Sequence, residues 1–164
     1  MADSNRLQKI TIHWSYPRKL ENIETDWKYK TNVLYYISRK FAGKESPIYL
    51  GETTRDCITR IDEHYKKKSK FFTKRGEKYL RVGTIVKPQS LSSYNGENEI
   101  EHLLQIIESR LVENLNQRNL GKYLCNKRQV SSFTEWYKLD IENTGYRGYF
   151  PKSLQFMNIN NYNL

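Results

Sequence analysis

Two short runs of β-branched and aromatic residues, Val33-Leu-Tyr-Tyr-Ile37 and Ile48-Tyr-Leu-Gly51, constrain this chain more than any other feature. They are separated by Ser38-Arg-Lys-Phe-Ala-Gly-Lys-Glu-Ser-Pro47. Runs of this kind joined by a Gly- and Pro-containing loop predict an antiparallel hairpin. Thr53, Thr54 or Asp56 can each cap a helix after it, and residues 57–67 place Ile58, Ile61 and Tyr65 on one helical face. Residues 79–86 give a third strand. After the Asn95-Gly96 turn, Ile100, Leu103, Leu104, Ile107, Leu111 and Leu115 form the longest helical stripe, with Gly121 as its stop.

This order of elements predicts an α+β fold with a small three-stranded antiparallel sheet flanked by helices. The 164 residues fit a single domain. Residues 32–126 form its core, with additions at 1–31 and 127–164. In the first addition, residues 8–14 alternate as a strand would. In the second, Ser132 begins a capping-box spacing, Ser-Phe-Thr-Glu. The stretch after Gly145 reads as irregular.

The net charge of +10 favours a polyanionic partner. No apolar run approaches the roughly 18 residues that a membrane span needs. Met1–Lys9 lacks the apolar stretch of a signal peptide, so the expected location is the cytoplasm, with no membrane partner. Cys57 and Cys125 are the only cysteines, and no His or Cys flanks them at ligand spacing. That excludes a zinc finger or ribbon and leaves both as ordinary core residues.

Tyr35 and Ile37 lie on the first strand, Tyr49 and Gly51 on the second, Arg60 and His64 on the helix, and Glu108, Leu111 and Val112 on the later helix. This arrangement resembles the GIY-YIG nuclease family, whose pattern runs G-I-Y-x-I, Y-[IV]-G, R-x-x-x-H, then E-x-x-L-[IV]. Val33 stands where the pattern opens on glycine, and the hairpin loop is longer than the shortest in the family. The resemblance implies a metal-dependent endonuclease in which Tyr35 orients and deprotonates the attacking water, Tyr49 stands beside it and His64 assists. It also implies a late asparagine, for which Asn126 and Asn119 are both candidates.

The residue types suit that chemistry. Phosphodiester hydrolysis needs a positioned water and charge neutralisation at phosphorus. The Arg60 fork can grip a phosphate, and His64, one turn on, shares its face. Glu108 falls in the apolar sector of its helix, where a carboxylate must be paired, protonated or metal-bound. One carboxylate plus waters and phosphate oxygens is the usual way to hold Mg²⁺, with Mn²⁺ as the alternative ion. Glu101 has nearly the same helical angle, and only the family spacing favours Glu108.

Residues 66–81 carry eight basic side chains against Glu77 alone. Lys66, Lys67, Lys68, Lys70, Lys74 and Arg75 are expected to follow a nucleic-acid backbone beside the cut. Arg147 and Tyr146 either read bases or pack on the core. The compact plan is similar to the GIY-YIG type II restriction endonucleases, which predicts double-stranded DNA as partner and a homodimer for cutting both strands. A phage or mobile-element (homing-type) nuclease is the next reading. A catalytically inactive nucleic-acid-binding module is the reading from another class.

Overall fold

The computed structural model describes residues 8–23, 30–86, 97–125 and 139–155. The strands are β1 (Gln8–Trp14), β2 (Arg18–Lys19), β3 (Val33–Phe41), β4 (Lys44–Thr53), β5 (Glu77–Val86), β6 (Leu139–Gly145) and β7 (Ser153–Leu154). The helices are α1 (Cys57–Lys66), α2 (Lys70–Thr73) and α3 (Glu97–Gln117). The expected helix at Ser132, the Asn95-Gly96 turn and Asn126 lie outside the described residues.

The expectation of a small three-stranded sheet is overturned. β4, β3 and β5 are the three anticipated strands, with β3 in the middle. The sheet continues past them in the order β4-β3-β5-β1-β6-β7, with β2 also paired to β5, making seven strands. β1 is antiparallel to β5 and parallel to β6. Both segments read as additions therefore supply strands to the sheet. β6 offers only Leu139 and Ile141 as apolar residues, and its partner β1 lies near the other end of the chain. A pairing of that kind leaves no local trace.

The β3–β4 hairpin is tighter than expected. Ala42 and Gly43 both have positive φ, 51° and 77°, and Phe41 pairs directly with Lys44. A two-residue turn with both φ positive matches the natural twist of a hairpin. The supposed loop is therefore mostly strand. A register shift between Ile37 and Ser38 leaves Ile48 as an extra residue, so Tyr49 faces Ile37 and Gly51 faces Tyr35.

Alternation along β3 divides the core. Leu34 and Tyr36 join Ile10, Ile12, Trp14 and Leu50 under the apolar stripe of α3. Val33, Tyr35 and Ile37 face the other way, against Cys57 and Ile61 of α1 and Phe71 of α2. Each fully buried Leu or Ile contributes roughly 1.5–3 kcal/mol, so both helices are held mainly by this packing. The predicted stripe of α1 is only partly right, because Tyr65 is 67% exposed.

α3 ends before Gly121. Asn119 adopts φ 57°, its N–H bonds to Asn116 O (3.1 Å), and Leu120 N–H bonds to Leu115 O (2.8 Å). These paired bonds form a Schellman stop, with Leu120 packed back on the core. Asn119 thus has a structural duty at a helix end. After the helix, Cys125 N–H bonds to Ile48 O (2.7 Å), and the chain runs along the outer edge of β4.

Candidate active site

The hairpin and α1 bring together four of the five residues that the resemblance marks as catalytic. Tyr35 and Tyr49 project from adjacent strands on the α1 side, their rings stacked at 5.7 Å and 19°. This close stacking depends on Gly51. A Cβ there would lie 2.4 Å from Tyr35 Cζ and 2.5 Å from its Oη, so the phenol ring occupies the space a side chain would need. The glycine of the Tyr-Leu-Gly run is therefore part of the site's geometry.

α1 is started by Asp56, whose carboxylate accepts from Ile58 N (2.8 Å) and Thr59 N (3.4 Å). Such a cap contributes about 0.5–2 kcal/mol. Cys57 N–H also bonds to Lys30 O (3.0 Å), which ties the helix start to the segment before β3. With Cys57 and Ile61 buried, Arg60 and His64 come to one flank, facing the phenols. The His64 Nε2 lies 3.0 Å from Tyr35 Oη and 3.5 Å from Tyr49 Oη. Its Nδ1 lies 3.1 Å from Ser69 Oγ. Phe71 closes the far side, its ring 4.8 Å from Tyr49 and 5.4 Å from the imidazole.

Electrostatics at the site follow from this enclosure. Burial, reinforced by the Tyr49 phenol, pushes the Tyr35 hydroxyl well above its ordinary range, against the pull of Arg60. Tyr35 is therefore a neutral phenol at physiological pH, and only 1% exposed. Burial also lowers His64 below its usual value, with Arg60 and Lys67 adding repulsion and Glu63 opposing them. The imidazole is neutral at pH 7. Arg60 is held above its ordinary value first by Glu63 and then by Tyr35 and Tyr49.

Glu63 binds Arg60 Nη1 (2.9 Å) and both terminal nitrogens of Arg55 (2.9 Å each). These two guanidinium groups bring its carboxyl down to about 2. The pair Arg60–Glu63 is about one-third exposed on both sides, where such pairs contribute only about 0–1 kcal/mol. An incoming phosphate can compete for Arg60 at little cost.

Glu108 is placed differently. It is 5% exposed on α3, the helix that covers the opposite face of the sheet, over β4 and β3. Glu101 is exposed, so burial separates the two carboxylates that the helical angle leaves equal. Among the described residues no group of three His, Cys, Asp or Glu side chains that could hold a metal ion gathers around it. It therefore lies across the sheet from the phenol–imidazole cluster and does not join the other four residues.

The basic run is built into structure. Lys66 ends α1, Lys67 and Lys68 form a turn with Lys68 at φ 50°, and Lys70 opens α2. Lys66, Lys67, Lys68, Lys70 and Arg75 are exposed and Lys74 half-buried. Phe71 and Phe72 pack inward. Arg81 leaves the surface set altogether: it is 6% exposed, and Nη1 donates to Glu45 (2.9 Å) and Ser38 (3.1 Å). On the C-terminal segment, Phe150 stacks on Trp14 at 5.0 Å, while Arg147 donates to Phe150 O (2.8 Å). Tyr146 is 55% exposed and meets Tyr16 edge-on.

Sequence reasoning missed Ser69, Phe71, Glu63 and Arg55 around the site. Only the spacing of His64 and Ser69 across a short lysine turn could have suggested the first. A hollow of about 570 Å³ lies on the other flank of α1, lined by Leu20, Ile23, Ile61, Tyr65 and Phe72 among others. It includes none of the site residues, and the phenol–imidazole cluster is better defined by its chemistry than by concavity.

Compared with known proteins, the chain matches no family model, no curated protein and no solved structure.

Proposed function

We propose that this chain is a metal-dependent DNA endonuclease of GIY-YIG type, cutting duplex DNA at specific sites in the manner of a type II restriction enzyme. The observation that carries the proposal is the convergence of the Tyr35 and Tyr49 hydroxyls on the neutral imidazole of His64, with Arg60 set against Tyr35. A purely structural role needs neither two phenols on one ring nitrogen nor a guanidinium beside them.

In this proposal the scissile phosphate displaces Glu63 from Arg60 and is gripped by the guanidinium fork. A water enters from the Tyr49 and Arg60 side, since Tyr35 itself is enclosed. It gives a proton to the Tyr35 oxygen while the phenol's own proton passes to His64 Nε2. The water oxygen forms the new bond to phosphorus. One ester oxygen departs with the bonding electrons and takes a proton from solvent. The raised pKa of Tyr35 suits a relay in which the phenolate never accumulates. Glu108, although across the sheet from Arg60, is the carboxylate that the resemblance names to hold Mg²⁺ or Mn²⁺, and such an ion would supply Lewis acidity.

The basic side chains from Lys66 to Arg75 would follow the DNA backbone beside this site. Cutting both strands with one site per chain calls for a homodimer. The experiment is incubation of supercoiled plasmid with the protein and Mg²⁺ or Mn²⁺, against an EDTA control. Discrete fragments are expected. An unchanged plasmid with both ions would overturn the nuclease reading and leave a nucleic-acid-binding module.

A further inference from the structure

Ser69 occupies the N-cap position of α2, yet its hydroxyl makes no capping bond there. A serine at an N-cap ordinarily turns its oxygen onto the first free N–H groups of the helix. Here the oxygen lies 3.1 Å from His64 Nδ1, and the Ser69 backbone N–H bonds to His64 O (3.0 Å). Ser69 therefore holds the same residue by backbone and by side chain. The left-handed Lys68, φ 50°, turns the chain back to allow it.

The direction of the protons follows from the neighbours. The Arg60 guanidinium can only donate, and it acts on the Tyr35 oxygen. Two hydroxyls, of Tyr35 and Tyr49, converge on the single Nε2 at 3.0 and 3.5 Å. With its oxygen accepting from Arg60, the Tyr35 hydroxyl turns its own proton toward Nε2, the nearer contact at 3.0 Å. Nε2 is then the acceptor, and in a neutral imidazole the proton sits on Nδ1, aimed at Ser69 Oγ.

We propose that Ser69 is a positioning residue: it accepts from His64 Nδ1–H, fixes that tautomer, and keeps the Nε2 lone pair turned toward Tyr35. The inference deepens the nuclease reading for its catalytic consequence, while the tautomer itself can be read without any substrate. A base held by a third group through its second nitrogen is a general device for proton transfer. In the Nε2–H tautomer the imidazole could not take the Tyr35 proton, and the relay would stall.

The test combines ¹⁵N NMR of the histidine side chains with cleavage kinetics, using Ser69→Ala and Ser69→Thr. The chain has three histidines, and His64→Gln identifies the relevant resonances. At pH 7.5 to 8 (roughly one unit or more above the ordinary histidine pKa) the native protein should show a protonated Nδ1 and an unprotonated Nε2. Ser69→Ala should mix the tautomers and slow plasmid cleavage by about tenfold or more at unchanged KM. Ser69→Thr should restore both. A native His64 protonated on Nε2 overturns the inference, as does a Ser69→Ala protein with native tautomer and native rate. If the tautomer responds as expected while the native protein leaves plasmid intact, the positioning by Ser69 stands and the nuclease reading falls.

Discussion

The ring of Tyr35 lies over Gly51, its directly paired residue across the β3–β4 hairpin, in the space that any side chain at position 51 would claim. A side chain at 51 and the Tyr35 ring in this place exclude each other. Gly51→Ala forces the phenol away from His64, and we expect a loss of about 1–3 kcal/mol from overpacking. Cleavage should fall much further than stability. Thermal unfolding and plasmid digestion of the same preparation separate the two effects; a Gly51→Ala protein with native activity would show that the stacked position of Tyr35 is unimportant.

Tyr35→Phe removes one oxygen and keeps the ring. DNA binding, measured by mobility shift in Ca²⁺, should be unchanged, while cleavage drops by about 100-fold or more. Tyr49→Phe should also slow cleavage, because the proposed mechanism brings water in past the half-buried Tyr49. Undiminished cleavage by Tyr35→Phe would remove that phenol from the proton path.

The acid side of the pH–rate profile should report His64. Its pKa is held below 6.5, mainly by burial and then by Arg60. In the proposed relay the neutral form accepts the proton, so activity should persist to below pH 6.5 and fail as the ring becomes charged. Stability has the same sign. Below pH 6.5 the unfolded chain binds this proton before the folded one does, so folding weakens as pH falls through that window. An acid limb centred above pH 6.5 would contradict the buried, Arg60-facing placement.

Neutralising Lys66, Lys67, Lys68 and Lys70 with glutamine should weaken binding to every DNA sequence alike. The slope of log K against log salt should flatten by about 0.9 for each phosphate that is no longer neutralised. An unaltered slope would move the DNA path elsewhere. Glu108→Gln, in turn, should raise the Mg²⁺ concentration needed for plasmid cleavage or abolish it, read from a metal titration. A titration curve that overlays the native one would release Glu108 from metal binding.

Asn143 offers a test of the extended sheet. It is 1% exposed, accepts from Trp14 Nε1 (2.9 Å) and donates to Pro151 O (2.9 Å). Removing it leaves a buried indole N–H without its partner, so Asn143→Ala should cost about 1–3 kcal/mol in chemical denaturation. A cost near zero would mean that the β1–β6 pairing contributes little to holding the protein together.

The parts of the fold legible in the sequence are those carried by local periodicity. β1, the hairpin strands, β5 and the stripe of α3 announce themselves within short windows of sequence. Asp56 is one of three possible caps, and only the fold selects it. The β1–β6 pairing, the tight Ala42-Gly43 turn and the burial of Arg81 depend on distant partners, which local windows do not contain. The site divides the same way. Tyr35, Tyr49, Arg60 and His64 are marked by the resemblance and lie together in the fold, whereas Ser69 reaches His64 through a loop conformation and a single hydroxyl. The basic run is readable as charge but not as a helix end, a turn and a second helix.

β1 is hydrogen-bonded along one side to β5 and along the other to β6, so segments from both ends of the described chain are stitched into the sheet that carries Tyr35. Exchanging either segment would take a strand from beside β5 or from beside β1, and the packing behind Tyr35 would loosen with it. The ends of this sheet are thus tied to its middle, and a change at either margin should be felt at the hairpin.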